Sequence, residues 1–176
     1  MENAEEKCIL VVEDEPDVQL YLQTVLEEAG FQVMTADNGK QALDRIKERR
    51  PDLISLDLEM PKMRGVKLLE YLQRNPSWSA IPFIIVTSHM RDEIGKRDVE
   101  ELKAKKILIG PHVFMEKPIV PEDYVTRIRQ ALHMSDIVEM PAEGSDELRT
   151  KVLEQLSTAG EDQLKKILKF LKKGSP

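Results

Sequence analysis

The chain has 176 residues, 41% hydrophobic and 33% charged, with a formal net charge of −6. That length holds one domain with room for an appendage, and that composition is too apolar for a disordered chain. An acidic balance argues against nucleic-acid binding by the whole surface, so direct nucleic-acid binding is not expected.

The charge is uneven. Residues 1–145 carry 19 Lys+Arg against 27 Asp+Glu, whereas residues 146–176 carry 7 against 5. A single cysteine, Cys8, rules out an internal disulfide and suits a reducing compartment. The opening MENAEEK is acidic and polar, unlike a secretory signal. No apolar run approaches the ~20 residues of a membrane helix. The expectation is a cytoplasmic protein with no membrane partner.

In chain order, CILVV (8–12) is a short apolar run broken by EDEP. Pro16 suits a first helical turn. Val18, Leu22, Val25, Leu26 and Ala29 then recur at helical spacing, and Gly30 ends that helix. FQVMTA (31–36) alternates like a strand, and DNGKQALDRIKERR is a helix stopped by Pro51. LISLD (53–57) is a strand that ends on an acid. GVKLLEYLQRN (65–75) is a helix stopped before Pro76, and PFIIVTS (82–88) is a buried strand. DEIGKRDVEELKAKK (92–106) is helical with an interruption expected at Gly95. HVFMEKP (112–118) is the last strand, and PEDYVTRIRQALHM (121–134) the last helix of this series.

Five short apolar strands alternating with amphipathic helices indicate an α/β fold, a doubly wound parallel sheet with helices on both faces. Such sheets bind ligands beyond the carboxyl ends of the strands, where the strand order reverses. Four of the five strands end on polar groups there: Glu13 and Asp14, Asp57, Thr87 and Lys117. This rim position explains the acid at the end of LISLD, and on this reading Asp57 need not be buried.

Glu13, Asp14 and Asp57 are all ionised at neutral pH at their reference pKa values. Two carboxylates ~5 Å apart repel by roughly 3 kcal/mol at an effective dielectric of 20. A hard divalent cation resolves that conflict, and an oxygen-only donor set without His or Cys points to Mg2+. Lys117 adds an ammonium and Thr87 a hydroxyl. Together these groups make a clamp for a phosphoryl group, with Asp57 as the nucleophile that becomes an aspartyl phosphate.

The stretches KCILVVEDEP, DLISLDLEMP, NPSWSAIPFIIVTS and FMEKP stand in order over residues 7 to about 133. They resemble the four signature stretches of the receiver domain of two-component response regulators. The resemblance implies a flavodoxin-like five-stranded sheet of order 2-1-3-4-5. It implies Mg2+ held by Glu13, Asp14, Asp57 and the backbone carbonyl of Glu59. Asp57 would be the phospho-acceptor, Thr87 the hydroxyl that follows the phosphoryl group, and Lys117 the lysine beside it, with a cis Lys117–Pro118 peptide. Phe114 matches the aromatic switch position, here without a hydroxyl. Glu59 and His89 match positions that tune dephosphorylation. The partner would be a sensor histidine kinase or a histidine phosphotransfer protein.

The interval from Thr87 to Lys117 is 30 residues, longer than the usual receiver by roughly two helical turns. Two other readings stand beside the signalling switch. One is a pseudo-receiver that binds without cycling. The other is a phosphohydrolase working through an aspartyl phosphate, with Glu59 as the second acid. The leading expectation is a switch rather than an enzyme, limited to its own phosphorylation and dephosphorylation. The division expected is a receiver over 1–134, a linker over 135–145 and a helical extension over 146–173. Leu148, Val152, Leu153 and Leu156 form one apolar stripe, and Leu164, Ile167, Leu168 and Leu171 a second. Helices of about three turns need a surface to bury such stripes against, so a homodimer through these helices is expected.

Overall fold

A computed structural model describes residues 7–88, 92–107 and 113–132. The expected alternation is present throughout them. The strands are β1 (Cys8–Val12), β2 (Gln32–Ala36), β3 (Leu53–Leu56), β4 (Phe83–Thr87) and β5 (Val113–Glu116). The helices are α1 (Pro16–Glu28), α2 (Gly39–Glu48), α3 (Gly65–Arg74), α4 (Glu93–Ala104) and α5 (Pro121–Ala131). All strand pairs are parallel, in the order β2-β1-β3-β4-β5. This is the flavodoxin-like order, and its reversal falls between β1 and β3.

Period-2 alternation in the strands divides the core into two layers. Ile9, Val11, Leu53, Ile84 and Val86 face one way, with residues of α1 and α5. Leu10, Val12, Ile54, Leu56, Phe83 and Ile85 face the other, with residues of α2, α3 and α4. Nearly every strand position is therefore apolar, because both faces are covered. The edge strands β2 and β5 are the exceptions, with partly exposed positions along β2 and at Phe114 and Glu116 of β5. Trp78 packs against the second layer, as a packing residue would.

Helix ends follow the chain chemistry. After α1 the Gly30 and Phe31 N–H groups donate back to the carbonyls of Glu27 and Leu26, both at 3.0 Å. That Schellman closure needs a left-handed residue, and Gly30 has φ 91°. Asn38 caps α2 by accepting from the Lys40 and Gln41 N–H groups. The interruption expected at Gly95 is absent, and α4 runs through it. Asp92 caps this helix and accepts from the Gly95 N–H at 2.9 Å, so the glycine lies in the first turn. Its weak helix propensity is offset by the cap there.

His89, the linker over 135–145 and the helical extension over 146–173 lie outside the described residues, and so does the homodimer contact expected of that extension.

Candidate functional site

Val12 and Leu56 are paired neighbours at the ends of β1 and β3. The next residue of each strand, Glu13 and Asp57, therefore leaves the sheet at the same level. The Asp57 N–H donates to the Val12 carbonyl, and the Glu13 N–H to the Ala36 carbonyl, both at 3.0 Å. One carboxylate oxygen from each of Glu13, Asp14 and Asp57 lies within 4.8 Å of the others.

The fourth member arrives from β5. Thr87 pairs with Glu116, and the Lys117 N–H donates to the Thr87 carbonyl at 3.0 Å. The Lys117 ammonium then lies 2.7 Å from Asp57 Oδ2 and 2.7 Å from Glu13 Oε2. The Lys117–Pro118 peptide is cis, as the resemblance implies. Thr87 is buried at the end of β4. Phe114 is half-buried against the core layer that includes α4.

One expectation is corrected. Asp57 is 6% exposed, not an open rim residue. It sits one residue beyond the end of β3, and its burial is tolerated because both carboxylate oxygens are held. Lys117 takes Oδ2, and the Glu59 N–H donates to Oδ1 at 3.0 Å.

The charges of the pocket do not balance, with three carboxylates to one ammonium. Burial pushes the Glu13 carboxyl up to about 7, and the Asp57 charge adds to that against the pull of Lys117. Burial also raises Asp14. Burial alone would lower Lys117, but Glu13 and Asp57 together hold its ammonium above the ordinary range. An all-oxygen donor set with excess negative charge fits a hard divalent cation.

The loop after Asp57 is closed by backbone contact. The Gly65 N–H donates to the Leu58 carbonyl at 2.9 Å. A Cβ at Gly65 would stand 2.4 Å from the Asp57 carbonyl oxygen, so only glycine fits where α3 begins. Glu59 does not turn its carboxylate to the pocket. It pairs with Arg64, which also holds Asp98 of α4.

Arg64 and Asp98 were not singled out from sequence. The signal was present, since Gly95, Asp98 and Leu102 share the buried stripe of α4. An acid on such a stripe requires a cation from elsewhere. A second missed pair lies below the pocket, where the buried Tyr124 hydroxyl of α5 donates to Ser55 Oγ of β3 at 2.6 Å. Ser55 reads as a polar residue inside an apolar strand, which is the same kind of signal.

Fold and pocket together define a class, and the profile of the response regulator receiver domain matches residues 9–129. The chain belongs to that family, the receiver domains of two-component signalling. It is 30% identical over 148 residues to the alkaline phosphatase synthesis transcriptional regulatory protein PhoP of Bacillus subtilis strain 168, covering 84% of this chain and 58% of that one. It is 32% identical over 126 residues to the phosphate regulon transcriptional regulatory protein PhoB of Pseudomonas aeruginosa, covering 72% and 52%. The chain thus spans about half the length of these curated relatives.

Among solved structures it resembles the receiver domain of a signal transduction histidine kinase from Syntrophus aciditrophicus. The TM-score is 0.63 at 30% identity, over 76% of this chain and 96% of that one. It also resembles chemotaxis protein CheY4 of Vibrio cholerae, with TM-score 0.61 at 25% identity over 71% and 98%. Among the described residues, no helix is long and apolar enough to cross a membrane.

Proposed function

We propose that this receiver is a phosphorylation-controlled switch that takes a phosphoryl group onto Asp57 from the phosphohistidine of a sensor kinase or phosphotransfer protein. The observation that carries the reading is the Asp57 carboxylate, pinned by Lys117 at one oxygen and the Glu59 N–H at the other. Its orientation is set before any donor arrives, which removes rotational freedom from the reacting group. Transfer forms a bond from an Asp57 oxygen to phosphorus. The phosphorus–nitrogen bond of the phosphohistidine breaks, and its electron pair returns to the imidazole.

Glu13, Asp14, Asp57 and the Glu59 carbonyl would hold Mg2+. The ion would supply charge neutralisation at the phosphoryl oxygens. Lys117, already beside Asp57, would bind the oxygens that the incoming group adds. Thr87, at the end of the neighbouring strand, would follow the phosphoryl group. Phe114, half-buried on the α4 side, would report that movement on the surface. Glu59 and His89 would tune the lifetime of the acyl phosphate.

The phosphohydrolase reading asks Glu59 to act at the phosphoryl group, whereas its carboxylate engages Arg64. The relatives are regulators by name, which favours a switch over a turnover enzyme. The proposed division keeps 1–134 as the receiver, 135–145 as a linker and 146–173 as an output segment. The test is incubation of the full chain with Mg2+ and a small acyl phosphate. One phosphoryl group, labile to hydroxylamine and absent from Asp57→Asn, is expected. No incorporation would leave the non-cycling pseudo-receiver. Sustained turnover of an added phosphomonoester would establish the hydrolase.

A further inference from the structure

Outside the acidic pocket, Asp98 is the most deeply buried carboxylate among the described residues, at 1% exposed. A lone charge there would be costly, and its partner comes from another element. Arg64, at the end of the loop between β3 and α3, donates from Nη2 to Asp98 Oδ1 at 2.7 Å and Oδ2 at 2.8 Å. The same nitrogen also pairs with Glu59 Oε1. Three acceptor oxygens therefore surround one nitrogen that carries two hydrogens. Meanwhile Arg64 Nε is buried without a partner.

The strong arrangement of arginine and carboxylate is a fork, two nitrogens to two oxygens. Asp98 lacks it because Nη2 is divided between two acids and Nε is idle. Burial, with the Glu59 charge adding to it, keeps the Asp98 carboxyl above its ordinary range in spite of Arg64. The guanidinium therefore only partly compensates the acid it serves.

The two acids belong to different elements. Glu59 stands two residues past Asp57, and its N–H holds Asp57 Oδ1. Asp98 stands on α4. We propose that Arg64 is a positioning residue for which Glu59 and Asp98 compete, so that any displacement of Glu59 changes the hold on α4. Drawing Glu59 away frees Arg64 to turn fully to Asp98 and tightens the helix. Drawing it closer to Arg64 takes the guanidinium from Asp98 and loosens the helix. This link runs through the β3–α3 loop, separate from Thr87 and Phe114. It rests on the phospho-acceptor reading only for what displaces Glu59. The competition itself belongs to the resting protein.

Amide hydrogen exchange on the full chain, with no phosphodonor present, tests it. Glu59→Gln removes the charge of one competitor, and amides over 97–104 should then exchange about twofold or more slowly, the low end for groups sharing a partner. Asp98→Asn should do the reverse and slow exchange of the Met60, Lys62 and Met63 amides, which keeps the test alive if the first variant folds poorly. In an Arg64→Gln/Asp98→Asn background, Glu59→Gln should leave 97–104 unchanged. Equal slowing with and without Arg64, or no slowing from either single substitution, would overturn the proposal. A wild-type chain that takes no phosphoryl group would refute the acceptor role of Asp57 and leave the exchange result intact.

Discussion

The acidic pocket and the ion network between α3 and α4 use the same kinds of side chain, carboxylates and lysines, with opposite electrostatic results. In the pocket Glu13, Asp57 and Lys117 are all buried, and the acids outnumber the base. In the network Glu70 accepts from Lys67 at 2.9 Å and from Lys105, which also pairs with Glu101. The two lysines there are 54% and 41% exposed, and charge balances. Hydrogen bonds, from Lys105 first and then Lys67, hold the Glu70 carboxyl below its ordinary range. Burial pushes Glu13 up to about 7. A carboxylate that folding places in an unfavourable state invites a ligand, and one that folding stabilises serves the scaffold.

The largest effect should come from Asp57→Asn, with complete loss of phosphoryl incorporation, read by intact mass after exposure to Mg2+ and an acyl phosphate. Incorporation at the wild-type level would place the acceptor elsewhere. Next comes the pH dependence of metal-free stability. Between its ordinary 4.5 and about 7, Glu13 is protonated in the folded chain and ionised in the unfolded one. Stability should therefore fall as pH rises through that window, by roughly 3 kcal/mol if this group acts alone. Added Mg2+ should oppose the fall, because its ligands must be deprotonated to bind. Urea melts at pH 5 and pH 8, with and without Mg2+, check both signs. A Mg2+ effect equal at the two pH values would contradict the assignment of Glu13 as a ligand.

The fold was largely legible because its signals are local. Apolar strands, Pro16 and Pro121 at helix starts and Gly30 at a helix end report neighbours in sequence, and the five strands fall where periodicity put them. The convergence of Glu13, Asp14, Asp57 and Lys117 was legible because parallel strands deliver their ends to one rim. The burial of Asp57 was not legible, since it depends on Lys117, 60 residues away. Arg64 was hidden for the same reason, because its partner Asp98 is 34 residues on. Propensity alone points to an interruption at Gly95, and the Asp92 cap three residues before it offsets that weakness.

Two glycines sharpen the contrast between site and scaffold at the next level of effect. A Cβ at Gly65 would meet the Asp57 carbonyl oxygen at 2.4 Å and the Leu58 Cα at 2.8 Å, and neither is free to move. Gly65→Ala should cost about 2 kcal/mol and slow phosphoryl incorporation, because the loop holding Asp57 must shift. A Cβ at Gly39 would meet Met63 Cγ and Sδ at 2.7 and 2.8 Å, a flexible side chain that can rotate away. Gly39→Ala should cost less, about 1 kcal/mol at most, with incorporation unchanged. Denaturation midpoints and incorporation rates for the pair decide this. Equal losses of activity would show that the loop transmits strain from either end.

The smallest effect belongs to Glu70. Its depressed carboxyl contributes stability that is present above the ordinary 4.5 and lost as pH falls below it, the opposite slope to Glu13. Its lysine partners are largely solvated, so the contribution is screened and on the order of 0.5 kcal/mol. Glu70→Gln should lower the urea midpoint slightly at pH 7, and wild type and variant should converge at pH 3. Salt at about 1 M should remove most of the difference, since it screens exposed pairs and spares buried ones. Phosphoryl incorporation should be unchanged. If Glu70→Gln instead cost as much as the whole Glu13 slope, or altered incorporation, the α3–α4 network would be coupled to the pocket, and α3 would be the element that couples them.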